Sequence, residues 1–188
     1  LVDLETGART PLPESIVGTE DVTSAYAVSP DGSRLAYVRR GGHGAVGIFV
    51  ANLDGTGIEQ VTVELRGEAR PTGGAARGAA PAWSPDGSKI AYMGRIGGSH
   101  SNVYLLDLAT GMSTQVTDDP RDDVESFTFS PDGLSILYNV WRGDAGEIRI
   151  VPVAGGESER LVRGDSNAGY PQLSPDGSLL SYSCGDGW

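Results

Sequence analysis

The sequence predicts an all-β fold, a β-propeller built of four-stranded antiparallel blades. Three observations carry that prediction. The tetrapeptide Ser-Pro-Asp-Gly occurs four times, beginning at Ser29, Ser84, Ser130 and Ser174, at intervals of 55, 46 and 44 residues. Its flanks repeat with it. An apolar residue precedes each Ser (Val28, Trp83, Phe129, Leu173), and Leu35, Ile90, Ile136 or Leu180 follows, then Tyr37, Tyr92, Tyr138 or Tyr182 two residues on. Apolar residues two apart on one face are a strand signature, which places these tyrosines at one repeated, buried position. Four short strands in each interval is the period of a propeller blade.

The elements follow in order, with the strands of a blade named A to D. Pro sets φ for the first turn position, Asp bonds its own backbone and Gly accepts positive φ, so each tetrapeptide turns strand A into strand B. Strand C reads 47–53, 102–108 and 147–153. A second turn follows at 54–57, 109–111 and 154–156, and strand D ends at 60–62, 115–117 and 160–162. No segment shows a 3.6-residue period, so essentially no helix is expected. The complete blades are about 22–62, 80–117 and 125–162.

The ends carry complementary half-blades. Residues 1–12 match strands C and D, and residues 170–184 match strands A and B. The expectation is one propeller domain over 1–188. It forms a four-bladed ring closed by its own ends, a larger ring completed by a homodimer, or a piece of a longer propeller. An open fragment would leave edge strands exposed.

Composition bounds the partners. With 14 Lys and Arg against 25 Asp and Glu, the net charge is −11 and the pI about 4.5. Nucleic-acid binding needs clustered positive charge, the opposite of the balance here, and an anionic membrane surface is disfavoured for the same reason. A basic partner or a cation fits, and the charge also keeps a β-rich chain soluble. No apolar run is long enough to span a bilayer, so no membrane insertion is expected. The sequence has neither an initiator Met nor a signal peptide, which suggests a mature, trimmed or excised chain. Cys184 is the single cysteine, so no intrachain disulfide forms; it reads as a small residue near a strand end. With His43 and His100 the only histidines, a structural zinc site lacks ligands. No metal or cofactor is expected.

Residues 80–92, continuing through 102–111 to Gln115, Val116 and Thr117, resemble the TolB-type WD40-like repeat, often called PD40. The resemblance extends over nearly the whole chain. Classical WD40 repeats are disfavoured, because no Trp-Asp dipeptide occurs. Lactonase-like propellers also use Ser-Pro-Asp-Gly and are the rival at the level of fold. The TolB resemblance implies a periplasmic or secreted protein that binds other proteins, usually with about six blades. TolB's additional α/β domain has no counterpart in this sequence. The same repeats form the gating propeller of prolyl-oligopeptidase-like enzymes, which leaves a propeller piece of a larger polypeptide as an alternative. The motif is one of turn and packing, so it transfers no catalytic residue.

Topology selects a face. The A–B and C–D turns share one side of the disc and are short. The B–C and D–A loops share the other and are long and variable, the usual setting for binding. Three features lie there. Asp118, Asp119, Asp122 and Asp123 with Glu125 lead into a strand A, and Glu20, Asp21 and Asp165 occupy comparable loops. Such carboxylates suit a basic peptide or a hard cation, or form a solvated acidic loop. His43 and His100 sit in corresponding loops, as metal ligands or as exposed loop residues. Trp141 and Arg142 form either a binding hot spot or a packed loop anchor. The partner-binding residues expected are Asp21, Asp122, Asp123, Trp141, Arg142 and Asp165. The insertion 64–78, with Arg66, Arg70 and Arg77, reads as a disordered loop.

The sequence holds no nucleophile elbow, phosphate loop or zinc-protease helix. Ser99 and Ser101 flank His100, but sequence neighbours rarely make triad geometry. The expectation is a non-enzymatic scaffold for a protein or peptide partner. The alternative is a lactonase- or glycosidase-like enzyme using convergent acids.

Overall fold

The computed structural model describes residues 1–2, 5–17, 22–40, 46–62, 70–71, 80–95, 100–119, 123–142, 145–162 and 168–184, the side chains of 22–25, 40, 46, 70, 71, 95 and 142 excepted. Its strands form successive antiparallel sheets that follow the repeat. The first contains β1 (Val22–Val28), β2 (Arg34–Arg40), β3 (Val46–Asn52) and β4 (Glu59–Gln60), in that spatial order. The second contains β5 (Arg70–Pro71), β6 (Ala82–Trp83), β7 (Lys89–Arg95), β8 (Asn102–Asp107) and β9 (Ser113–Gln115). The third contains β10 (Val124–Phe129), β11 (Ser135–Arg142), β12 (Ala145–Pro152) and β13 (Glu159–Val162), again in order. A final hairpin pairs β14 (Gly169–Leu173) with β15 (Leu180–Ser183).

Each Ser-Pro-Asp-Gly turn is closed by its own side chains. The Ser hydroxyl donates to the Asp two residues on, at 2.5 Å in the first, second and fourth copies and 2.6 Å in the third. The amides of Arg34, Lys89, Ser135 and Leu179 donate back to the same Ser Oγ at 2.9 Å. The Gly stands at φ of 70 to 72° in all four copies, a region that a side chain would strain. These bonds hold Asp31, Asp86 and Asp176 ionised, with pKa lowered to about 2. The Ser29, Ser84 or Ser174 hydroxyl contributes most, followed by the amide and hydroxyl of Ser33, Ser88 or Ser178. Asp132 is lowered by Ser130 and the Leu134 amide; Leu134 has no hydroxyl to add.

Both faces of the second sheet are buried, because it packs on the first and on the third. Along β7, Ile90 and Tyr92 join Ala36, Val38, Ile48 and Val50 of the first blade. The intervening Ala91 and Met93 join Val124, Ile136, Tyr138 and Val140 of the third. Strands buried on two faces read as continuous apolar runs, so the polar alternation of a one-sided sheet is missing here. Trp83 pins the second blade to the first: its indole N–H donates to the Ala27 carbonyl at 3.0 Å, and the Arg34 guanidinium lies 4.9 Å over its ring.

The structure departs from the sequence reading at three places. A one-turn helix, α1 (Glu14–Val17), precedes the first blade and buries Ile16 against Leu35, Tyr37 and Ala51. One turn is too short to show a helical period. Within the insertion 64–78, β5 pairs with the far end of β7, Arg70 opposite Arg95 and Pro71 opposite Gly94; the rest of the insertion lies outside the described residues. Tyr37, Tyr92 and Tyr138 are buried as expected, at 0 to 2% exposure, but Tyr182 is 43% exposed. Among the described residues β15 pairs with β14 alone, so no third strand covers that ring. At the other end, Val2 bridges Arg9, and the Leu1 carbonyl accepts from the Thr10 amide at 3.0 Å.

Candidate functional site

The loop face is held rigidly where the second blade meets the third. Ser101 enters β8 from the B–C loop, and Asp123 enters β10 from the D–A loop. The Ser101 amide donates to Asp123 Oδ1 at 2.6 Å, and its hydroxyl lies 2.9 Å from the same oxygen and 3.0 Å from the Val124 carbonyl. The Val124 amide donates to the Ser101 carbonyl at 3.0 Å. A carboxylate that accepts a backbone amide fixes the loop as well as carrying charge.

The rest of the acidic run divides by role. Asp118 is exposed, whereas Asp119 is 5% exposed and structural. The Asp119 amide donates to Asn102 Oδ1 at 3.1 Å, and its carboxylate pairs with Arg149 at 2.8 Å. Arg149 also pairs with Glu147 at 2.9 Å, and Arg160 reaches the other Glu147 oxygen at 3.3 Å. Sequence reasoning missed this network. Its one sequence signal is an Arg at the strand-C position that holds Phe49 and Tyr104 in the other blades, opposite the repeated Tyr.

Trp141 lies at the loop-face end of β11, opposite Gly146. Its ring is half-buried, and the indole nitrogen is enclosed with no hydrogen-bond partner among the described residues. The backbone behind it is tight: a Cβ on Gly146 would stand 2.2 Å from the Ala168 carbonyl oxygen, so only Gly fits. Next along the chain, Tyr170 takes φ of 52°, is 46% exposed and donates its amide to Ser126 Oγ at 3.2 Å. Ser126 itself bonds Asn139. The His100 Nδ1 is likewise enclosed and without a partner among the described residues.

Of the expected binding residues, Asp123 and Trp141 are described and lie on the loop face of the third blade. Trp141 and Arg142, expected in a B–C loop, are instead the last two residues of β11, because its pairing with β12 continues through Trp141 opposite Gly146 to Arg142 opposite Ala145; Arg142 is described through its backbone. Asp21, Asp122 and Asp165 lie outside the described residues, as do Glu20, His43, Arg66 and Arg77. Among the described residues no group of three or more His, Cys, Asp or Glu could hold a metal ion. Cys184 is exposed just beyond β15.

Successive antiparallel sheets, each closed by the same self-bonded turn and packed face to face, define the class: a β-propeller scaffold with its variable loops on one side. The chain belongs to the TolB β-propeller domain family, PD40, whose model matches residues 65–187. It is 25% identical over 211 residues to the uncharacterized peptidase YuxL of Bacillus subtilis, across 90% of this chain and 31% of that protein. It is 39% identical over 72 residues to the Tol-Pal system protein TolB of Francisella tularensis subsp. mediasiatica, across 38% of this chain and 16% of that protein. The crystal structure of TolB from Acinetobacter baumannii matches with a TM-score of 0.68 and 25% identity, over 86% of this chain and 37% of that one. The chain spans about a third or less of the length of the curated relatives it matches. Among the described residues no helix is long and apolar enough to cross a membrane.

Proposed function

We propose that this propeller is a non-enzymatic scaffold that captures a protein or peptide partner on its B–C/D–A loop face, in the periplasm or outside the cell. The observation that carries the reading is the third-blade rim, where the loop-face end of β11 carries a half-buried Trp141 and the start of the paired strand β10 carries an Asp123 held by Ser101. An aromatic anchor and a fixed charge on one rim are the composition of an interface hot spot. Membership of the TolB family supports a protein partner, and the net charge of −11 favours a basic one. Asp21, Asp122, Arg142 and Asp165 are the further partner-binding residues of this proposal.

The test is affinity capture from a periplasmic extract by the immobilised chain and by its Trp141→Ala and Asp122→Asn/Asp123→Asn variants. A protein retained by the wild type and lost from the variants, with no turnover on lactone, glycoside or peptide panels, is the expected result. Turnover that the same substitutions abolish would overturn it in favour of an enzyme. The similarity to a Bacillus subtilis protein called a peptidase, across 90% of this chain, motivates a second reading: the propeller gates a hydrolase within a larger polypeptide.

A further inference from the structure

The short-turn side of the disc carries a groove that breaks the repeat. It lies between the second and third blades and encloses about 560 Å³, with Leu105, Met112, Leu134 and Val153 as its apolar lining. Lys89 and Asp107 form one wall and pair with each other at 2.5 Å, which leaves that wall neutral. Met112 and Leu134 are each 69% exposed.

Register shows how unusual this pair is. Phe49 opposite Gln60, Tyr104 opposite Gln115 and Arg149 opposite Arg160 align the three C–D turns residue by residue. Gly57 and Glu157 therefore stand where Met112 stands. Ser33, Ser88 and Ser178 stand where Leu134 stands, and each bonds its turn Asp through its hydroxyl. Leu134 forgoes that bond and presents an apolar side chain to water. Two departures from the repeat, facing one groove, both expose hydrophobic surface that neither stability nor solubility favours.

A Cβ on Gly133, which lines the groove, would lie 3.2 Å from Pro85, so the second and third turns meet there, and the carboxylates of Asp86 and Asp132 belong to the residues next in sequence to that contact. We propose that this groove takes an apolar side chain from a cationic segment of a partner polypeptide. The apolar residue fills the space between Met112 and Leu134, and its basic neighbours meet Asp86 and Asp132. This surface is on the opposite side of the disc from Trp141 and Asp123.

The probe is a short fluorescein-labelled peptide of alternating Leu and Lys, titrated by anisotropy onto the chain. In the Leu134→Ser/Met112→Ser variant the first change restores the repeat with its turn bond and the second removes an exposed apolar side chain, so the fold is retained; a urea midpoint no lower than the wild type's checks this. Binding weakened about tenfold or more by that variant, and unchanged in Trp141→Ala, is the expected result. Replacing Leu by Ser or Lys by Glu in the peptide should weaken it comparably. Equal affinity for wild type and variant, equal binding of the Glu peptide, or loss of binding in Trp141→Ala instead would overturn the proposal. So would wild-type self-association that the variant abolishes, because the occupant would then be a second copy. The Trp141→Ala arm reads the loop face separately, so failure here leaves the proposed function standing.

Discussion

In the second blade Tyr92 faces Tyr104 across strands B and C; in the third the same register sets Tyr138 against Arg149. The tyrosine rings stack with centroids 5.8 Å apart, as Tyr37 and Phe49 do at 5.9 Å in the first blade. That contact stays within one sheet. Arg149 instead reaches back to Asp119 in the loop leaving the second blade. The two blades share turn, strand order and register, and one residue decides whether a blade's edge is stabilised internally or tied to its neighbour.

Removing Arg149 breaks the comparison most severely. Arg149→Met leaves Asp119 buried without its cation and Glu147 with Arg160 alone, and should destabilise the chain by about 3–5 kcal/mol in urea unfolding. Arg149→Tyr combined with Asp119→Asn and Glu147→Gln, which imitates the second blade, should recover most of the loss. No recovery would show that the third blade needs the ions themselves. The next effect sharpens the comparison at the incoming strand. Ser101 and Gly146 occupy equivalent positions, three residues before Tyr104 and Arg149. Ser101 uses its side chain to hold Asp123, whereas Gly146 admits the Ala168 backbone. Gly146→Ala should cost about 2–3 kcal/mol, and Ser101→Ala about 1 kcal/mol, in the same assay.

The smallest effect concerns the turns. Asp86 should titrate near 2, and Asp132, with fewer donors, above it in carboxyl carbon NMR. Leu134→Ser should move Asp132 toward Asp86. Because these folded pKa values lie below the unfolded value of about 4, the stability they add is complete above pH 4. It is lost as pH falls toward 2, so the urea midpoint followed by circular dichroism should decrease in that window.

The turns and blade phase were legible because their information is local. Ser29 to Arg34 closes a complete set of bonds, and the spacing to Tyr37 fixes the strand face. α1 and β5 were illegible because four residues and two residues carry no period. The Asp119–Arg149 pair spans 30 residues and crosses a blade boundary, so each half looks like an ordinary surface charge. Of the candidate site, the strand order made the shared side of Asp123 and Trp141 legible, but nothing in the sequence joined Asp123 to Ser101, 22 residues away.

The self-closing turn has a kinetic consequence. Its bonds span two to five residues, so each A–B hairpin can form on the microsecond scale typical of isolated hairpins, before the next blade has been synthesised. Assembly then proceeds in the order of translation, each sheet waiting with one apolar face bare until its successor arrives. The four hairpins are near-identical in their turns, so a waiting face cannot distinguish them by the turn. Trp83, Arg149 and Gly146, each belonging to a single junction, are what tell one hairpin from another, and substitutions there should raise the yield of misordered blades as well as lower stability.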